Sequence, residues 1–393
     1  MNVRVPLKDL RVALVHHWLV GMRGGEKVLE ALCRIFPSAD IYTLVLEPAA
    51  VSETIKSHSI TASWIQKLPR ASRYYSHYLP LFPFAIEQFD LSGYDLVVSS
   101  DAVVSKGVLT RPETCHICYC HTPMRYAWNA YHTHLQAIGN SWKRKLAPFF
   151  MNYIRNWDLA AASRVDYFLA NSQTVANRIA KYYRREAHVI FPPVAVSNFS
   201  VAQTIDDYFL VVGQLVPYKR FDLAIEVFTQ LQYPLVVVGD GPEYAKLKRQ
   251  AGKNIRFVGR ISDTELSHSL SRCRALVFPG EEDFGIVVVE AHASGRPVIA
   301  LARGGALETV IPELNGVLFS DETSESLTDA IHRFITFEFQ FRRELIRETA
   351  APFNEDRFRN EVIAFVSDKV AEHRERFRTA PGKWRPAIDH LPR

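Results

Sequence analysis

The sequence predicts an α/β protein of two doubly wound domains, each a parallel sheet covered by helices on both faces, with a cleft between the carboxyl ends of the two sheets. Three observations carry this expectation. Short apolar runs alternate with helical stretches along most of the 393 residues, the pattern of repeated strand and helix units. That length is too great for one comfortable hydrophobic core. The stretch PPVAVSNFSVAQTIDD, from Pro192 to Asp207, is proline-bearing, polar and poor in periodicity, which marks a boundary between two units.

In the first half, RVALVHHWL reads as a strand, and VGMRGGEKVLEALCRIF as a glycine-rich loop followed by a helix. Gly21, Gly24 and Gly25 do not fit the G-x-G-x-x-G dinucleotide spacing, but Gly24 and Gly25 allow a ligand close to the backbone, or simply form a tight turn. ADIYTLVLE and DLVVSSDAVVSKGVL continue the strand pattern. Between them SRYYSHYLPLFPFAIEQF is rich in rings. Tyr74, Tyr75, Tyr78, Phe82 and Phe84, with Arg70 and Arg73, suit either a membrane interface or the domain interior.

TCHICYCHTPMRYAW brings Cys115, Cys118, Cys120 and His121 close in sequence and invites a zinc reading. Strand geometry argues against it, because Cys115 points to one face and Cys118 and Cys120 to the other. His121 stands at a strand end before Pro123, where open α/β sheets place functional side chains, or is a hydrogen-bonded structural residue. From His134 to Ala162 a helix mixes basic and aromatic residues, as membrane-surface helices and ordinary amphipathic helices both do. DYFLANS and HVIFPPV supply two more strands around a helix.

In the second half YFLVVGQL, PLVVVGDG, IRFVGRI, ALVFPG, PVIALA and GVLFS read as strands, separated by helical stretches such as FDLAIEVFTQL and YAKLKRQAG. The densest chemistry lies in PGEEDFGIVVVEAHASG, Pro279 to Gly295. A helix opened by Gly285 directs free N–H groups and the positive end of its dipole at the preceding strand end, which suits a phosphate, or the stretch is a solvated acidic loop before an ordinary buried helix. Glu282 and Glu290 would repel a phosphate, so they more naturally accept hydrogen bonds from sugar or ribose hydroxyls. Lys219, after Gly213, is a point charge for a phosphate or a solvated lysine. GDGP at Gly239 to Pro242 is a turn at a strand end, and Gly304 and Gly305 precede Glu308 at another helix start.

Composition limits the remaining classes. With 48% hydrophobic and 23% charged residues the chain is globular, and a net charge of +5 suits anionic ligands or a membrane surface. No nucleic-acid-binding motif accompanies that charge, so nucleic acid is not an expected partner. MNVRVPLKDLRVALV lacks an apolar stretch of signal-peptide length, and no run approaches the roughly 20 residues of a membrane span. Five cysteines, an odd number, fit reduced thiols. A cytoplasmic protein is expected.

These segments together resemble the retaining glycosyltransferases of family 4, which have the GT-B architecture of two Rossmann-like domains. The likeness runs from Arg11 to about Phe365 and is densest from Val211 to Phe319, where VVGQLVPYKRFDLAIEVF, VVVGDGPEYAKL, IRFVGRIS, VFPGEEDFGIVVVEAHASGRPVIA and GGALETV follow in the family's order. The pair Glu282 and Glu290, with Phe284 and Gly285 between them, is the most diagnostic motif. The resemblance implies an acceptor-binding domain over 1–195, a nucleotide-sugar-binding domain over 205–355, and a helix over 356–376 crossing back to the first domain. RTAPGKWRPAIDHLPR then reads as a loose end.

By the same resemblance His121, Glu282 and Lys219 are the catalytic set. Lys219 holds the donor pyrophosphate with the N–H groups near Gly285 and Ile286, Glu282 contacts the transferred sugar and Glu290 the ribose. Phe284 belongs to the same donor-binding motif, Arg260 and Ile261 lie beside the base, and Gly24 and Gly25 near the phosphates. Gln214 follows Gly213 where the family often has arginine, so a phosphate contact is weaker or is replaced by Arg220. YCHTPMRYAW and HHWLVGMRGGEKVLEAL look most like the bacterial branch that builds O-antigen, capsule and exopolysaccharide, where GDP-mannose is a frequent donor.

The expected reaction moves a hexose, mannose from GDP-mannose by the resemblance, to a hydroxyl of a lipid-linked saccharide or oligosaccharide with retention of anomeric configuration. A UDP-sugar donor carrying glucose, galactose or GlcNAc is the alternative, and a sugar-nucleotide epimerase of similar build the more distant one. No Asp-x-Asp sequence occurs, so no metal or other cofactor is expected and activity should survive EDTA. Peripheral contact with the inner face of the membrane follows from the basic and aromatic stretches of the first half.

Overall fold

The computed structural model describes residues 7–132, 135 and 142–377. Among them the first half forms a seven-stranded parallel sheet of β1 Val12–His16, β2 Asp40–Thr43, β3 Ile60–Ala62, β4 Leu96–Asp101, β5 Cys115–Cys120, β6 Tyr167–Ala170 and β7 Ala187–Val189. Its order is β3-β2-β1-β4-β5-β6-β7. The second half forms a six-stranded parallel sheet of β8 Phe209–Val212, β9 Leu235–Val238, β10 Ile255–Gly259, β11 Leu276–Phe278, β12 Val298–Leu301 and β13 Gly316–Phe319, ordered β10-β9-β8-β11-β12-β13. Both sheets reverse direction beside their first strand, between β1 and β4 and between β8 and β11. Open α/β sheets bind ligands at these switch points, beyond the carboxyl ends of the strands.

The apolar runs become strands because both sheet faces are covered, so every residue of β1, β9, β11 and β12 is buried. The helix Gly24–Ile35 buries Val28, Leu29, Ala31, Leu32 and Cys33. The last helix, Glu355–Phe377, returns to the first sheet. Its Phe358, Val362, Val366 and Val370 recur every fourth residue and join the core of Leu14, Ile117 and Tyr119. Each such burial contributes on the order of 1.5–3 kcal/mol. Among the described residues no helix is long and apolar enough to cross a membrane.

Some elements depart from expectation. β3 is a three-residue edge strand with no sequence signal of its own. DLVVSSDAVVSKGVL is strand only over Leu96–Asp101. There the buried Asp101 accepts the N–H of Val103 at 3.3 Å and pairs with Lys106 at 3.0 Å, turning the chain out of the sheet. The helix expected over 134–162 is present over Trp142–Ser163. Of its expected beginning only Leu135 lies within the described residues, and the end expected to be loose falls outside them from position 378. The ring-rich segment divides, with Phe82 fully buried and Tyr74 and Phe84 exposed.

Candidate active site

The strand ends of the second sheet place the anion-binding elements. β11 leads through Pro279 to Gly285, which caps the helix Ile286–Ala293 at φ 81°. A side chain there would be strained, and its Cβ would stand 2.8 Å from the Phe278 ring. Lys219 Nζ lies 2.8 Å from Glu282 Oε1. It also borders Gly213, where an added Cβ would come within 2.9 Å of the ammonium. Burial disfavours the Lys219 charge, but Glu282 more than restores it and raises the pKa above the ordinary lysine value. Gly305 donates its N–H to the Glu282 carbonyl at 2.9 Å, fixing the loop from the β12 side.

The first half supplies the opposite wall. A Cβ on Gly24 would stand 3.1 Å from Ile286 Cδ1, and one on Gly25 would stand 3.6 Å from His121 Nε2. The glycine loop, His121 and the start of the Ile286 helix therefore meet. His121 Nε2 is 2.8 Å from Ser100 Oγ, and the same oxygen is 3.1 Å from His16 Nδ1. His16 Nε2 faces Glu26 Oε1 at 3.8 Å. Burial, reinforced by His16, pushes the His121 pKa down to about 4, so its imidazole is neutral at ordinary pH. Burial opposes ionisation of Glu26, yet contact with His16 outweighs it and lowers the carboxyl pKa.

Charged contacts join the two walls. Lys27 Nζ lies 3.2 Å from Glu290 Oε1. Asp283 sits between two guanidiniums, pairing with Arg125 at 2.7 Å and with Arg178. Arg178 also reaches Glu281 at 2.5 Å, and the Arg125 guanidinium lies 4.8 Å from the centre of the Tyr218 ring. Burial works against the Arg125 charge, while Asp283, Tyr218 and Glu282 raise its pKa overall. Glu308 accepts the N–H groups of Gln173 and Thr174 at 2.7 and 3.0 Å, capping the helix Gln173–Tyr183 of the other half.

The structure thus brings together Gly24, Gly25, His121, Gly213, Lys219, Glu282, Gly285, Ile286 and Glu290. Other expected residues are placed differently. Phe284 is 3% exposed and packs on Phe191 and Phe353, so it supports the loop from beneath. Arg220 takes φ 53° and gives its guanidinium to Asp222 and, at 2.6 Å, to Glu322. These two acids occupy the charge expected to face a phosphate. Gln214 is exposed, and Arg260, exposed, and Ile261, half-buried, follow the edge strand β10. Cys118 and Cys120 lie in a core cluster separate from that of Cys115, as the strand alternation requires. Lys27, Arg125, Arg178 and Asp283 escape sequence reasoning. Arg125 and Arg178 are 158 and 105 positions from Asp283, and only the HTPMRYAW motif hinted at the first.

Comparison with known proteins bears on the family and the fold. The model for glycosyltransferase family 4 matches residues 22–198, and that for glycosyl transferases group 1 matches residues 197–352. The chain is 25% identical over 244 residues to the O-antigen chain mannosyltransferase C of Escherichia coli, covering 57% of this chain and 61% of that one. It is 32% identical over 198 residues to the O-antigen chain mannosyltransferase RfbU of Salmonella typhimurium, covering 44% and 55%. The chain therefore spans little more than half the length of these relatives. The crystal structure of the HepE protein of Anabaena in complex with UDP superposes with a TM-score of 0.66 at 16% identity, over 91% of this chain and all of that one. This likeness extends over both sheets and shows the GT-B fold. With two adjoining family models spanning nearly the whole described chain, the protein belongs to the glycosyltransferases of group 1 and family 4.

Proposed function

We propose that the protein transfers a hexose from a nucleoside diphosphate sugar to a hydroxyl of a lipid-linked saccharide, with retention of anomeric configuration. The observation that carries this reading is the Lys219 and Glu282 pair at the start of the Ile286 helix, facing His121 and the Gly24 loop across the cleft. Departure of a diphosphate demands fixed donors where negative charge develops. Lys219 and the N–H groups at the Ile286 helix start are such donors. When the diphosphate takes Lys219, Glu282 is released to accept hydrogen bonds from the sugar hydroxyls. Glu290, beside Lys27, would accept hydrogen bonds from the ribose hydroxyls.

No carboxylate is assigned as a nucleophile in this reading, since Glu282, once freed of Lys219, is taken up by sugar hydroxyls and Glu290 stays with Lys27. We therefore favour attack on the face the diphosphate leaves, with the leaving phosphate oxygen accepting the acceptor's proton. The first domain, with the exposed rings of the Trp142–Ser163 helix, would receive the acceptor at the inner face of a membrane.

Mannose from GDP-mannose is the preferred donor because O-antigen mannosyltransferases are among the relatives. A UDP-sugar is the second reading, favoured by the UDP complex of the Anabaena protein. Turnover of GDP-mannose, UDP-glucose, UDP-galactose and UDP-GlcNAc with a lipid-linked acceptor decides between them. Release of nucleotide from none of these, with or without acceptor, would overturn the proposal. Turnover is expected without added magnesium or manganese. Complete dependence on either ion would remove the metal-independent mechanism.

A further inference from the structure

At the amino ends of β5 and β6, away from the cleft, three side chains of different chemistry converge. Cys115 opens β5, Asp166 immediately precedes β6, and His373 lies near the end of the crossover helix. Their sulfur, oxygen and nitrogen atoms all lie within 4.8 Å of one another. Cys115 and His373 are 1% and 2% exposed. β5 separates this cluster from His121 by six residues, about 20 Å of extended chain.

The hydrogen bonding of His373 prepares it as a ligand. Its Nε2 is 2.9 Å from the carbonyl oxygen of Pro112, an acceptor, so Nε2 carries the proton. In the neutral ring, the form that binds a metal, Nδ1 then has its lone pair. This atom is buried without a hydrogen-bond partner, and it faces Asp166 Oδ2 at 3.8 Å, beyond hydrogen-bond reach. A backbone carbonyl fixing one ring nitrogen while the other points into a donor cluster is the usual support of a metal-binding imidazole. Asp166 is fixed as well, since Oδ2 accepts the His116 N–H at 2.8 Å.

We propose that Cys115, Asp166 and His373 bind a zinc ion that fastens the crossover helix to the first domain. A thiolate, a carboxylate and a neutral imidazole together carry two negative charges, which balance a divalent cation and leave a buried site neutral. Sulfur and nitrogen donors with one oxygen favour zinc over magnesium or calcium. Zinc bond lengths of about 2.0–2.3 Å set ligand atoms roughly 3–4 Å apart, so side-chain shifts of about 1 Å close the site. Asp166 is partly exposed, and a water completes the tetrahedron from that side.

Binding forms a zinc–sulfur bond and releases the thiol proton to solvent. Without a cation the thiol stays protonated, because burial, with Asp166 and Glu372 adding to it, drives its pKa well above the ordinary value. Of the nearby charges, Glu372 is neutralised by Lys369 and Arg376. This site is independent of the donor chemistry proposed above. It also differs from the Cys115, Cys118, Cys120 and His121 grouping, since only Cys115 is shared.

The test titrates the full chain, stripped with EDTA, with cobalt(II) as a spectroscopic substitute and then with zinc. One equivalent of cobalt should bind with a thiolate charge-transfer band that zinc abolishes, and zinc should raise the temperature of unfolding. Cys115→Ser should lose the band. His373→Asn should weaken binding by more than the roughly 10–100-fold that loss of a supporting hydrogen bond costs. Cys118→Ser, on the other strand face, should keep both. Absence of a stoichiometric cobalt band in the wild type overturns the proposal even if the variants fail to fold, as does an unchanged band in Cys115→Ser.

Discussion

Lys219 Nζ and Glu282 Oε1 stand 2.8 Å apart at the mouth of the Ile286 helix, so one carboxylate holds the cation that the donor diphosphate would take. The two glutamates of the motif therefore have separable effects. Glu282→Ala removes the competitor for Lys219 along with the sugar contact. It should lower kcat on the order of 10²–10³-fold while leaving the donor KM unchanged or lower. Glu290→Ala removes a contact made equally before and during the reaction, so it should raise the donor KM with kcat nearly intact. Equal, mild effects of both substitutions in steady-state kinetics would show the roles wrongly assigned.

Asp283 is half of a clamp, because its carboxylate meets Arg125 and Arg178 of the other domain with its side chain only 14% exposed. A donor lying between the domains draws on the free energy of closure, so Asp283→Ala should raise the donor KM. A loss of about 1.4 kcal/mol in closure corresponds to tenfold. Small-angle scattering should show a larger radius of gyration for the variant. An unchanged radius together with an unchanged KM would mean the clamp does not govern closure.

Much of this was legible in the sequence, for stated reasons. Most strands of both sheets announce themselves because covered parallel sheets need continuous apolar runs. Gly285 and Lys219 stand out because a helix opening and a point charge suit a phosphate, and Glu282 and Glu290 because carboxylates beside such a place suit hydroxyls. What escaped depends on pairing between distant segments. Nothing in GEEDFG distinguishes Asp283, which crosses to Arg125 and Arg178, from its neighbour Glu282, which stays with Lys219. Arg220 misled for the opposite reason, since its acidic partner Glu322 lies 102 positions away. Ile60–Ala62 could not be read because a short edge strand owes its existence to its neighbour β2.

Buried histidines give the fold an acid sensitivity. Burial lowers the pKa of His121 to about 4 and of His116 and His292 to about 3. Below about 6.5 the unfolded chain takes up protons that these folded, neutral rings refuse. The stability they allow is therefore present above 6.5 and is lost as pH falls toward 4 and 3, at up to about 1.4 kcal/mol per pH unit for each ring. Urea unfolding at about pH 7.5 and about pH 5 should show a lower midpoint in acid. Equal midpoints would mean the rings are protonated in the fold. By the same argument His121 adds no inflection near pH 6.5 to the rate profile.

The helix Trp142–Ser163 presents Leu146, Phe149 and Tyr153 at 55%, 77% and 51% exposure. Spacings of three and four residues put these side chains on one face. The segment holding exposed Leu81 and Phe84 lies beside this helix, since Trp157 donates to Glu87 at 2.9 Å. Apolar side chains left in water on one helix face, with Lys145 alongside, suit a membrane interface, where each buried ring contributes on the order of 1.5–3 kcal/mol. Wild-type protein should therefore sediment with anionic vesicles at low salt. Phe149→Asp, an exposed position with little part in packing, should reduce the bound fraction at least tenfold with the unfolding temperature unchanged. Failure of the wild type to sediment would remove membrane attachment from the proposed function, and equal sedimentation of the variant would place the contact elsewhere on the first domain.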